Sequence, residues 1–212
     1  MRDIPVFTTD AGVASLTLKE IPYRSDAYIR LHDTREPERL LKECCDFCIA
    51  VGAQRIYASG HAILEQYPLH TSVWRMSRLR DGLPETDAAL FPVQPQTLEQ
   101  WRTLYNEKMR DVPNSSYMTM VDASKLIERG SGYFVHRGDS LLGIGIATGE
   151  QIDTVIAAVP GAGQDVLLAL SHALSGERIV IEVASANSRA IRLYEQLGFL
   201  KTAELSHWYC IR

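Results

Sequence analysis

IEVASANSRAIRLYEQLGF, residues 181–199, reads as the end of a buried strand that turns into a short, sharply capped helix. The β-branched run Ile179–Val183 fits a strand, with Glu182 alternating against Ile181 and Val183. Asn187 is a good N-cap, and Ala190, Leu193, Tyr194 and Leu197 fall at i, i+3, i+4 and i+7, one apolar stripe. Gly198 stands where a left-handed residue ends a helix, and Phe199 where the apolar contact back to the third-last residue, Tyr194, belongs. Tyr194 therefore has two readings, the packing partner of Phe199 or a hydroxyl aimed at a ligand. Asn187 is likewise either a cap alone or a ligand contact. The position favours neither, but the C-terminal edge of such a strand is where open α/β sheets bind ligands.

Outward from that stretch, elements alternate. Strands are expected at 132–137, 141–148, 154–159, 178–184 and about 201–211, with helices at 97–109, 123–128 and 164–174. The first of these helices puts Leu98, Trp101 and Tyr105 on one face behind Thr97. Nearer the N-terminus, 13–20, 27–32 and 55–59 read as strands around a helix, 37–51, that opens on Pro37 and stops at Gly52. The fold class is α/β. Residues 77–97 are rich in Arg, Asp, Gly and Pro, which sets a boundary between a β-α-β half, 1–87, and a larger domain, 88–212. Strand–helix–strand at 27–59 is echoed at 154–184, either a reduced repeat or the recurrence of a common unit.

The last forty residues, with their strand, Asn187, Ala190, Leu193-Tyr194 and Gly198-Phe199, resemble the GCN5-related N-acetyltransferase (GNAT) family. The element order from about residue 88 onward is similar to that family too. The resemblance implies a mixed, largely antiparallel central sheet flanked by helices, and acetyl transfer from acetyl-CoA to a small-molecule or peptide amine. By the same resemblance Tyr194 protonates the departing thiolate and Asn187 contacts cofactor or acceptor. A phenol with a pKa near 10 keeps its proton at neutral pH, as a general acid must. The corner Val159-Pro-Gly161-Ala162-Gly163-Gln164 would hold the pyrophosphate on backbone N–H groups. It departs from the family pattern, because Ala158 stands where Gln or Arg is usual and Asp165 brings a negative charge beside the anion. A dinucleotide-binding fingerprint fits less well, since Val166 replaces the third glycine.

Glu182 is either a base for the incoming amine or a structural carboxylate paired with Arg192 or Lys201. Tyr105, Asn106 and Asn114 lie on the helix and loop that flank the acceptor in the family, and each also reads as an ordinary helix-end or turn residue. A non-catalytic CoA-binding or protein-interaction module on the same fold stays open as the second reading.

Bulk properties narrow the field. With 46% apolar and 23% charged residues and a net charge of −4, the chain is an ordinary globular sequence without a general nucleic-acid surface. No apolar run is long enough to span a bilayer, and the N-terminus has no apolar signal core, so the cytoplasm is the expected address. Cys44, Cys45 and Cys48 crowd one helix without a second CxxC, and the six histidines show no ligand spacing, so no metal is expected. A homodimer stays open.

Overall fold

The computed structural model describes residues 5–212. Its first elements are β1 (Val6–Thr9), β2 (Gly12–Thr17), α1 (Ile21–Arg24), β3 (Asp26–Thr34), α2 (Pro37–Ala50), β4 (Arg55–Ser59), a 3-10 turn (Ala62–Gln66) and β5 (Leu69–Leu79). There follow β6 (Ala89–Pro92), α3 (Leu98–Met109), α4 (Met120–Arg129), β7 (Gly132–Arg137), β8 (Ser140–Thr148) and β9 (Gln151–Ala157). The chain ends with α5 (Gly163–Ala173), β10 (Arg178–Ala184), α6 (Ser188–Gln196) and β11 (Leu200–Cys210). It is a mixed α/β fold, as the sequence implies. Its antiparallel pairs are β1–β2, β2–β3, β4–β11, β6–β7, β7–β8 and β8–β9, with β3–β4 and β9–β10 parallel.

The residues form two compact units, one ending at Val73 and regaining the chain at Leu205–Arg212, the other Trp74–Glu204. The boundary read after residue 87 falls inside the second unit. In the first unit the strands run β1-β2-β3-β4-β11, and Leu40, Cys44 and Cys48 of α2 pack on Ile29, Leu31 and Ile56. Burial pushes the Cys44 thiol up to about 12 and those of Cys45 and Cys48 to about 11, so all three are protonated, inert packing groups at neutral pH.

In the second unit the order is β11-β5-β10-β9-β8-β7-β6. One core lies between the sheet and α5 and α6, gathering Leu142, Ile152, Val166, Leu167, Leu170, Ile179, Ile181, Tyr194 and Phe199. A second core gathers Trp101 and Tyr105 of α3, Leu126 of α4, Phe134, Ile144 and Ile156. Helix α5 is buried continuously from Val166 to Ser171, so it must press close to the sheet. Glycines at 143 and 145 of β8 allow this, because side chains there would collide with Val166 and Leu170.

The capping that the sequence dictates for 187–199 is present in full. The Asn187 side chain accepts from the Ala190 N–H at 3.2 Å. Gly198 has φ +81°, Phe199 N–H donates to the Tyr194 carbonyl at 3.0 Å, and Gly198 N–H donates to Glu195 at 2.9 Å. These two bonds make the six-to-one and five-to-two pattern of a glycine-terminated helix. The rings of Tyr194 and Phe199 lie 6.0 Å apart, with Phe199 fully buried.

Candidate active site

The site begins with a defect in β9. Its register against β8 runs Ile146↔Thr154 and then Ala147↔Ile152, so Asp153 is the extra residue of a bulge. A bulge of this kind bends a strand and changes which face its side chains occupy. Ile152 accordingly belongs to the α5 core and Ile156 to the α3–α4 core, although the sequence alternation would place them together. On its other side β9 pairs in parallel with β10 only at Gln151↔Val180 and Ile152↔Ile181. The register between β9 and β10 stops at Ile152↔Ile181, short of the C-terminal residues of both strands. A parted pair of strands offers hydrogen-bonding edges to an extended ligand.

At the C-terminal end of β9 the chain turns through 158–162 into α5. Gly161 adopts φ +86° with open space where a side chain would stand, and Val159 beside it is exposed. Gly163 has a different reason to be glycine: a β-carbon there would lie 3.2 Å from Leu193 of α6, so it sets the approach of the two helices. Ala162 is buried in the core, whereas Gln164 is exposed. No side chain caps α5, which leaves the first-turn N–H groups for a ligand. The Asp165 charge is answered by Arg137, whose guanidinium reaches Asp165 at 2.7 Å and Asp87 at 2.6 Å. For the acetyl-CoA that the sequence resemblance implies, Asp165→Asn should tighten binding several-fold by removing like charge. It should also cost up to about 1 kcal/mol of stability, the usual worth of an acid in the first turn of a helix; titration calorimetry and thermal melts check the two signs.

Tyr194 is 6% exposed, and burial raises its phenol well above the ordinary tyrosine range. The hydroxyl thus keeps its proton at neutral pH. Tyr194 belongs to the same core as Ile152, Ile181 and Val183, the residues beside the parted strands. Glu182 alternates to the opposite face of β10 and pairs with Arg75 of β5 at 3.0 Å. The partners expected from sequence are engaged elsewhere, Lys201 with Glu204 at 2.7 Å and Arg192 with the Ser188 carbonyl at 3.3 Å. Glu182 therefore stands on the face of β10 opposite the core to which Tyr194 belongs.

No protein-family model and no curated protein matches this sequence. Solved structures do match. A GCN5-related N-acetyltransferase from Kribbella flavida aligns over 100% of this chain and 91% of its own, with TM-score 0.62 and 14% identity. Another from Sphaerobacter thermophilus covers 95% of this chain and 77% of its own, with TM-score 0.58 and 14% identity. This is the GNAT fold. A conserved Staphylococcus epidermidis protein of unknown function shares it, with TM-score 0.63 and 9% identity over 98% of this chain and 94% of its own.

On this GNAT fold the three residues read as acceptor contacts have structural places. Tyr105 is buried and stacks on Trp101 at 5.5 Å, and the Trp101 indole donates to the Tyr133 carbonyl at 3.0 Å. Asn106 clamps the α3–α4 connection through Met118, donating to its carbonyl at 3.0 Å and accepting from its N–H at 2.8 Å. Asn114 sits in that connection at φ +60°, a left-handed turn position that Asn tolerates. The sequence reading missed Arg75, because β5 itself shows no strand period, and it missed the bulge at Asp153.

Proposed function

We propose that the chain transfers an acetyl group from acetyl-CoA to a primary amine. The observation that carries this reading is the β9–β10 ladder, which stops after two register pairs at a bulge, between the Gly161 corner and Tyr194. The residues fit such a substrate. Parted strand edges would take the amide-bearing pantetheine arm, and the free N–H groups of α5 would take the pyrophosphate. As the amine nitrogen bonds to the thioester carbon, negative charge grows on its oxygen, which a β9 backbone N–H can stabilise. The carbon–sulfur bond then breaks, Tyr194 gives its proton to the leaving sulfur, and the nitrogen loses a proton to solvent or to Glu182. No helix among the described residues is long and apolar enough to cross a membrane.

Acetyl-CoA at about 100 times its dissociation constant should raise stability by about 2.7 kcal/mol, roughly 5–10 °C in melting temperature for a chain of this size. Gly161→Val, which forces a β-branched residue into positive φ beside the anion site, should lose most of that shift. No shift at millimolar acetyl-CoA overturns the reading. A second reading, a CoA-binding module without chemistry, draws on Ala158 and Asp165 at the corner. It predicts the same thermal shift with no release of free thiol across an amine panel.

A further inference from the structure

The first unit repeats the element order of the second. From β1 to β5 the order is three strands, a helix, a strand, a 3-10 turn and a strand, with only the four-residue α1 added. From β7 to β11 it is three strands, a helix, a strand, a helix and a strand. In each run the first three strands pair antiparallel and the third and fourth pair parallel. The helix-to-strand connections, 51–54 and 174–177, are equal in length, and both last strands have 11 residues. Those last strands are exchanged. Residues Leu205–Arg212 complete the first unit beside β4, and Trp74–Leu79 of β5 complete the second beside β10.

The two runs differ at the three places where an acyl-CoA would be held. First, β3 and β4 stay in register over five residues, Asp26–Arg30 with Arg55–Ser59, where β9 and β10 manage two. Tyr28 and Tyr57 stack across that ladder at 5.3 Å, and Trp208 sets its edge on Tyr28 at 5.6 Å. At the start of the ladder Arg55 binds the buried Asp26 at 2.6 Å. Second, the strand-to-helix corner is residues 35–36 in place of 158–162. Pro37 there removes an N–H from the first turn of α2, and Glu36 and Glu38 bring negative charge to it. Third, the counterpart of α6 is a five-residue 3-10 turn, Ala62–Gln66, with no tyrosine within it.

We propose that the N-terminal unit is a sealed copy of the acyl-CoA slot. It takes no cofactor, so the chain binds one acyl-CoA. The proposal rests on the acyltransferase reading of the second unit. Native mass spectrometry of the full chain with acetyl-CoA should show one equivalent, and hydrogen exchange should show protection at 158–166 and 184–194 and none at 34–38. Glu36→Gln should leave stoichiometry and affinity unchanged, whereas Gly161→Val should weaken binding at least about tenfold with no second site emerging. Two equivalents, or protection at 34–38, overturn the sealed copy while leaving the acyltransferase reading intact. A wild-type chain that binds none refutes the acyltransferase reading, and the count of one with it.

Discussion

Tyr194→Phe should release thiol from acetyl-CoA at least about 100-fold more slowly than the wild-type chain, while its affinity for acetyl-CoA and its melting temperature barely change. General acids contribute about 10²–10⁴-fold when correctly placed, and the sulfur leaving a thioester is the group in need of a proton here. The substitution removes one oxygen and keeps the ring that packs on Phe199 at 6.0 Å. Stability therefore holds, since no bonded partner of the hydroxyl is left stranded. The pH dependence follows from burial. Because the phenol is raised above the unfolded value near 10, its neutral form is secure at and below that pH, and its contribution to stability is lost only as pH rises beyond it. Turnover should then show no alkaline loss attributable to Tyr194 below about pH 10. Unchanged turnover in the Phe variant would place the proton donor elsewhere and return Tyr194 to a purely packing role.

What was legible in the sequence was whatever local chemistry fixes by itself. The bounds of β4, β7 and β10 coincide with the runs read as strands, because each is flanked by turn residues. The end of α6 was legible to the atom, since only glycine tolerates the φ that the closing bonds need. The apolar stripe of α6 was read nearly right. Ile191, Tyr194 and Leu197 are its buried line, with Ala190 and Leu193 at the margin. Hidden instead were features that only tertiary partners create. β5 has the pattern of two buried residues, then exposed ones, with Thr71, Ser72 and Ser77 buried and Arg75 and Arg78 bonded to other elements. No period of two survives that, so no strand is read over Leu69–Leu79, whose last residues fall in the boundary segment 77–97. The Asp153 bulge was hidden for the opposite reason: Ile152, Thr154 and Ile156 alternate perfectly, and only the register against β8 shows that the phase breaks.

That missed strand carries the other large effect. A fragment of residues 88–212, which the boundary read from the sequence sets off as the larger domain, should fail to unfold cooperatively and should aggregate. β5 stands between β10 and β11, so its removal bares an edge on each. Met76, 1% exposed, and the packed Trp74 leave the core that holds Tyr194. Arg78 can no longer donate to the Leu197 carbonyl at the end of α6. Arg80, whose N–H meets Glu177 at 2.8 Å and whose guanidinium meets the His172 carbonyl at 2.7 Å, is lost as well. Emptying the Met76 site alone would cost about 2–5 kcal/mol, a large share of a typical domain's 5–15 kcal/mol. A fragment of Trp74–Glu204 retains all of these contacts and should keep a thermal transition by near-ultraviolet circular dichroism. If the shorter fragment melts as sharply and binds acetyl-CoA as tightly as the full chain, β5 is dispensable. The slot would then depend on β9, β10 and α6 alone.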